Sequence, residues 1–491
     1  MKFEEFKILS EKYTMIPVYE IMTADMLTPV TAYLKIRQEH QQGFLLESVE
    51  KSFQPSRYSF IGNNPEKIIT NKSDILEIEE NGEKISKNIS IFSYFKEITK
   101  KYNQAKSAEL PDFTGGLVGF LGYENITLIE KKLAIKSADL DLPDSNFGVY
   151  DTILAFDHYK HQIILINNVE IVPGKTPGEL FNEAKEKLTA LKKLLSNPVD
   201  FNPGFRITEN LLQKIDSDDF YKQVNYAKEK ITNGDIFQLV LSKRFSSNYE
   251  GDTFNVYRAL RIINPSPYMY FLEYKDGLKI IGTSPEDLLK VKNGRAQVLP
   301  IAGTRKRGNS EEEEKKLEKD LTSDKKELAE HTMLLDLGRN DLGKVCEFGT
   351  VKVSQKMKVQ KYSHVMHMVS TVEGTLAKDK DSIDALMSCF PAGTVTGAPK
   401  ISAIQHIKKL EKADRNIYAG AVGYLDYSGN LDMCIAIRTL FAKGNKIYWQ
   451  SGAGIVADSK DRLEEKEIIN KSASMVSALK YAGVLDENPG N

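Results

Sequence analysis

From residue 420 onward, three short runs rich in apolar, aromatic and β-branched residues follow one another at turn spacing, at 420–426, 432–441 and 446–451. A helical pattern begins only afterwards, over roughly 461–482. Strands that arrive in groups, with helices interspersed rather than alternating one for one, favour antiparallel pairing between chain neighbours. The fold class this predicts is α+β with large antiparallel sheets, not a doubly wound parallel sheet.

The first 200 residues add the strand candidates GFLLESVE, RYSFIG and DTILAFDHY. The glycine cluster FTGGLVGFLGY at 113–123 reads as a strand broken by a tight turn, with backbone packed against backbone. Leu180, Ala184, Leu188 and Leu191 recur at helical spacing over 176–195. The polar stretch SNPVDFNPGFRITEN, with its two prolines, marks a boundary near 196–215 and so divides the chain into regions 1–200 and 215–482. Beyond it a helix starts around 217–220 behind a Ser or Asp cap, a strand covers 236–245, and 311–337 reads as one long helix, acidic at its start as the helix dipole favours.

Bulk properties exclude several classes. The 491 residues carry a formal net charge of -1, so no electrostatic footprint for nucleic acid exists. No apolar run approaches the ~20 residues of a membrane span, and the N-terminus has no apolar signal core. Cys346, Cys389 and Cys434 are far apart and fit a reducing compartment; the expectation is a cytoplasmic protein. None of the three has the glycine-flanked setting or nearby base of a nucleophile.

Two helices carry carboxylates on one face. Glu327 and Glu330 are three apart in ELAEH; Glu464, Glu467 and Lys471 follow spacings of three and four in EEKEIINK. Two such faces suit magnesium, which is often held by one or two carboxylates plus water and substrate oxygens. They equally suit solvated faces with i,i+4 ion pairs. The apolar residues that follow Glu330 and Glu467 favour a buried setting, where a carboxylate needs a partner. SGAGIVADS at 451–459 reads as a strand end with a small-residue turn whose amides can hold a carboxylate, or as a plain β-to-α turn. Arg438, in the strand CIAIRTL, wants a carboxylate from the protein or a ligand. GTVTGAPK has the wrong spacing for a phosphate loop. His364 and His367, three apart in a strand, face opposite sides and make no paired metal site.

The C-terminal half resembles the chorismate-utilising enzymes. The ordered runs that carry the likeness are IFQLVLSKRF, NPSPYMYFL, GTSPEDLL, LPIAGTRKRG, ELAEHTMLLDLGRNDLG, VMHMVSTVEG, FPAGTVTGAPK, YAGAVGYLD, IAIRT, SGAGIVADS and EEKEIINK. LLESVE and RYSFIG are similar to the large, synthase subunit of anthranilate synthase. The resemblance implies facing sheets with outer helices, the N-terminal part wrapped onto the C-terminal part.

It also implies a chemistry. Isochorismate and salicylate synthases place a water-activating lysine where this chain has Gln238, and aminodeoxychorismate synthases a nucleophilic lysine where it has Ala302. Neither residue can replace an amine, which leaves external ammonia as nucleophile and anthranilate as product, the first step of tryptophan biosynthesis. By resemblance magnesium is held by Glu330 and Glu467, with Glu327 and Glu464 acting through water. Gly303, Thr304, Tyr418, Arg438, Gly452, Ala453, Gly454 and Lys471 hold chorismate. Glu286 is the candidate acid, and His367 a second acid/base or orienting group. Glu47, Ser48, Pro267, Tyr268 and Met269 match a feedback site for tryptophan. Ammonia is expected from a separate glutamine amidotransferase subunit, in a heterotetramer. The alternatives are an aminodeoxychorismate synthase and a tryptophan-sensing protein with a dead active site.

Overall fold

The run IFQLVLSKRF folds into the strand Gln238–Gly251, whose first five residues are all buried, as expected of an apolar run covered on both faces. This computed structural model describes the chain apart from residues 39–40, 49–56, 134–138, 200–203, 210, 212–213, 309, 362–364 and 486–491. The strands form two 12-stranded sheets, and every ladder between described strands is antiparallel.

Each sheet joins a block of strands from the first 170 residues to a block from beyond residue 200. In the first sheet, Gly43–Glu47 pairs with Tyr268–Glu273, Met269 standing opposite Glu47. In the second, Gly116–Leu121 pairs with Ala421–Asp426. The stretch 196–215 holds a further strand, Phe205–Ile207, paired with the far end of Gln238–Gly251. The two sheets face one another across a core of Phe44, Phe120, Tyr150, Tyr270, Val422 and Phe441, contributed by both. Their outer faces are covered by helices, through a second core under the first sheet and a third under the other. This is the α+β arrangement the sequence predicts.

Local structure corrects several boundaries. The segment 311–337 is not one helix. It breaks at Asp324 into Glu311–Ser323 and Lys325–Gly343, because the Asp324 carboxylate caps the second helix by accepting from the amides of Lys326 (2.9 Å) and Glu327 (3.2 Å). The helix after the boundary is capped by Asp216, one residue earlier than expected. The glycine cluster is an unbroken strand, Gly116–Leu121; only the close backbone packing holds, since a Cβ on Gly119 would lie 2.0 Å from the Asn146 carbonyl oxygen. The strand expected to end at 451 runs on, as Lys446–Ile455.

The largest correction falls on 432–441. It is two strands, Leu431–Ile435 in the second sheet and Thr439–Lys443 in the first. Arg438 lies between them with φ 51°, in the left-handed region. A neighbouring stretch crosses the opposite way, from Lys279–Ser284 in the first sheet to Asp287–Lys292 in the second. The crossings clamp each other: the Ser284 hydroxyl donates to the Ile435 carbonyl (2.7 Å), the Ile435 amide to the Glu286 carbonyl (3.0 Å) and the Thr283 amide to the Arg438 carbonyl (3.2 Å).

Candidate active site

The double crossing opens a gap in the first sheet. Thr439–Lys443 pairs with Lys446–Ile455 only from Leu440↔Trp449 outward. Beyond Trp449 the strand keeps its ladder to Gln238–Gly251, with Ser242 opposite Gly452 and Val240 opposite Gly454. Its other edge has no strand beside it among the described residues. Small residues keep this edge open: a Cβ on Gly452 would lie 2.7 Å from the Tyr418 hydroxyl, and one on Gly454 2.7 Å from the Gln238 amide nitrogen. Gln238 is buried there and offers an amide, not an ionisable amine.

Cations gather at this edge. Lys471, on the helix Asp461–Ala482, donates to the Gly452 carbonyl (3.2 Å) and pairs with Glu467 (2.6 Å). Arg438 donates through Nη1 to the Lys471 carbonyl. No carboxylate forms an ion pair with Arg438 among the described residues. Burial pulls its pKa down, and only Tyr418 and Glu467 counter the fall. A desolvated guanidinium without a carboxylate leaves room for an anionic ligand.

The carboxylate helices face each other. Burial pushes the Glu330 carboxyl up, and the charges of Glu327 and Glu467 push it further. Burial and Glu467 likewise raise Glu464, while Lys326 from the opposite helix lowers it. Glu327 pairs with Arg305 (3.0 Å), which also binds Asp320 and Asp324. Among the described residues, no group of three or more His, Cys, Asp or Glu side chains is arranged to hold a metal ion; Glu327 and Glu467 are turned to basic partners instead. His331, beside Glu330 in the sequence, points inward and bonds the Ser370 hydroxyl (2.6 Å), so it is a core histidine.

The strand Ile301–Lys306 bulges between Ala302 and Thr304, placing Gly303 at φ 73°. His367, opposite Thr304 in the next strand, sets Nδ1 3.0 Å from the Gly303 carbonyl and 3.0 Å from the Thr304 hydroxyl. A carbonyl only accepts, so Nδ1 carries the proton in that bond. Burial lowers the His367 pKa, favouring the neutral ring. His364 lies outside the described residues. Glu286, at the crossing, sits against Thr394 and within electrostatic reach of Lys471, and burial pushes it up to about 7. Lys400 of GTVTGAPK is held by Asp341 (3.0 Å) and the carbonyls of Ser388 and Cys389, which makes it a structural lysine.

The structure thus gathers Glu286, Gly303, Thr304, Glu330, His367, Tyr418, Arg438, Gly452, Gly454, Glu467 and Lys471 around one gap. Glu47, Ser48, Pro267, Tyr268 and Met269 form a separate group. There the buried Glu47 carboxylate is already held by the Tyr257 hydroxyl and by Arg261 (2.9 Å), and the Tyr268 hydroxyl donates to Asp432 (2.9 Å). Sequence reasoning missed Arg305, whose signal was the basic run TRKR directly after Gly303.

No helix among the described residues is long and apolar enough to cross a membrane. Residues 42–477 match the model of the chorismate binding enzyme family. Component 1 of anthranilate synthase from Acetivibrio thermocellus is 43% identical over 491 residues, covering 98% of both chains. That from Aquifex aeolicus is 41% identical, again over 98% of both. The crystal structure of anthranilate synthase component I from Streptococcus pneumoniae TIGR4 is 38% identical and superposes with a TM-score of 0.75, covering 92% of this chain and 98% of that one. The menaquinone-specific isochorismate synthase from Escherichia coli, at 17% identity and a TM-score of 0.70, shares the fold. With its family match spanning most of its length and its gap lined as described, this chain belongs to the chorismate binding enzymes.

Proposed function

We propose that the chain is the synthase component of an anthranilate synthase, aminating chorismate with ammonia and eliminating pyruvate to leave anthranilate. The observation that carries this is Arg438: a desolvated guanidinium with no carboxylate ion pair among the described residues, beside Lys471 and an open strand edge. Chorismate is a dicarboxylate. Arg438, Lys471 and the amides of residues 452–454 bind its carboxylates, and the Tyr418 hydroxyl closes one side.

Glu286 carries a proton near neutrality because burial raises it. It donates that proton to the C4 hydroxyl, which leaves as water while ammonia attacks C2. Neutral His367, oriented by Gly303 and Thr304, fixes the ring or moves the second proton as pyruvate departs. Gln238 and Ala302 contribute no amine, so neither a lysine-activated water nor a lysine adduct competes with ammonia.

Glu330 and Glu467 fit a magnesium ion, since their mutual repulsion is relieved by a divalent cation placed between the helices. A magnesium ion held by Glu330 and Glu467, with Glu327 and Glu464 acting through water, would supply a Lewis acid for a substrate carboxylate. Burial pushes the thiols of Cys346, Cys389 and Cys434 up, disfavouring the thiolate that glutamine hydrolysis needs. Ammonia therefore comes from a separate glutamine amidotransferase subunit in the cytoplasm. Ser48 and Pro267–Met269, set side by side by the Glu47↔Met269 pairing, hold tryptophan as feedback inhibitor.

The test is purified chain with chorismate, magnesium and an ammonium salt. Fluorescent ortho-aminobenzoate and stoichiometric pyruvate are expected, with no turnover of glutamine by the chain alone and inhibition by added tryptophan. A product that needs a lyase to become para-aminobenzoate, or no product, refutes the assignment.

A further inference from the structure

Behind Glu286 lies a cavity of about 60 Å³, lined by Glu286, Asp287, Pro300, Leu334, Gly338 and Thr394 among others. It is far too small for chorismate and large enough for one or a few water-sized species. Asp287 faces it from the start of Asp287–Lys292, where the ladder to Leu431–Ile435 is bulged.

Asp287 is 7% exposed, and among the described residues no hydrogen bond of ordinary geometry reaches either carboxylate oxygen. The neighbouring carboxylates are compensated. Asp432 accepts from Tyr268 and pairs with Lys290 (2.8 Å). Asp341 pairs with Lys400 (3.0 Å) and Lys344 (3.2 Å). Asp287 alone of these three lacks a basic partner. Burial, then the charges of Asp432 and Glu286, push its carboxyl up to about 8; only the nearby amides of Asp287 and Leu299 work the other way.

A buried carboxylate in a small cavity can take a proton, bind water or bind a cation. A proton cancels the charge but brings no donor to the second oxygen, and water brings donors but leaves the charge in place. A hydrated divalent ion needs oxygen ligands all round, and Leu288, Val298, Leu299 and Pro300 supply apolar walls instead. A small monovalent cation with its own N–H donors meets both needs: it cancels the charge and bonds both orphaned oxygens.

We propose that this cavity binds one ammonium ion on Asp287, immediately behind Glu286. The proposal rests on the ammonia-dependent reading above. The cavity and the chorismate gap share Glu286 as a wall, so an ion on Asp287 is one side chain away from the reacting ring. There it gives one proton to the carboxylate: an N–H bond breaks, an O–H bond forms, and the lone pair stays on nitrogen, leaving ammonia beside the acid that activates the C4 hydroxyl. The raised Asp287 pKa matches a carboxylate able to take that proton.

Two measurements on the full chain test this. In the first, the thermal midpoint without chorismate is compared in ammonium chloride and sodium chloride at equal ionic strength. Wild type gains an ammonium-specific rise, and Asp287→Asn loses it. In the second, ammonium is titrated against saturating chorismate and magnesium. Asp287→Asn raises the ammonium KM at least about tenfold while the chorismate KM stays within about twofold. No ammonium-specific rise in wild type, an equal rise in the variant, or an unchanged ammonium KM overturns the site. Wild type that shows the rise but makes no anthranilate refutes the assigned reaction and leaves the cation site standing.

Discussion

Glu467 and Lys471, one helical turn apart, hold their charged groups 2.6 Å from each other, and the same ammonium group reaches the Gly452 carbonyl. Both side chains are about two-fifths exposed. An exposed i,i+4 pair is worth only ~0.3–0.5 kcal/mol, so a divalent ion can displace the lysine from Glu467 at little cost. Lys471, so released, would be free to meet the substrate carboxylate proposed above.

Replacing Glu467 with Gln should therefore abolish magnesium-dependent turnover while the thermal midpoint moves by no more than about 2 °C. Initial rates over a magnesium titration, together with a melting curve, check both. Turnover retained at wild-type magnesium concentrations removes Glu467 from the metal site.

Burial pushes the Glu286 carboxyl up to about 7, and it must be protonated to act as an acid. The rate at fixed free ammonia should fall as pH rises through about 7. Glu286→Gln should lose about 10²–10⁴-fold in kcat and lose that limb of the profile. Holding free ammonia constant matters, because its own protonation otherwise masks the descent.

Gly303 combines φ 73° with crowding: a Cβ would lie 2.7 Å from Leu321 Cδ1 and 3.2 Å from the Glu327 carboxylate. Gly303→Ala should cost about 1–3 kcal/mol, measured as a lower urea midpoint. Because the Gly303 carbonyl orients His367, kcat should fall as well.

Glu124 lies outside the site and reports on stability alone. It is 4% exposed, its Oε1 accepts from the Arg415 amide (2.9 Å), and its Oε2 has no hydrogen-bond partner among the described residues; burial pushes it up to about 7. A carboxyl with a raised folded pKa binds more protons folded than unfolded between about pH 4 and 7. Its contribution to stability therefore declines as pH rises through that window and levels off above it. Glu124→Gln should flatten the melting profile there and be the more stable protein at pH 8. Parallel curves for the two proteins would show that Glu124 does not drive the slope.

The strand groups, the helix at 461–482 and the antiparallel character of the sheets were legible because apolar periodicity and the grouping of strands determine them. The crossing of strands between sheets was not. CIAIRTL is apolar throughout, and nothing in its pattern marks Ile435 and Thr439 as lying in different layers; only the left-handed Arg438 separates them. The break at Asp324 did have a signal, since an Asp followed three residues later by Glu327 is a helix-start pattern. It was hidden by the unbroken run of helix-favouring residues around it. The carboxylate faces were ambiguous from spacing and gained meaning from the motifs around them. Asp287 carried no signal at all, because its burial follows from the crossing.

The two crossings also act as a joint. Thr283 is paired with Met269, which stands opposite Glu47 on the next strand, and three residues after Thr283 comes Glu286. A wedge driven between Glu47 and Met269 would pull on the strand Lys279–Ser284, which ends two residues before Glu286. On the other arm, Thr439 begins just past Arg438 and pairs with Gly282. A shift of one layer against the other would therefore displace Glu286 and Arg438 together, the two residues proposed above as proton donor and anion-binding cation, through a linkage one strand wide.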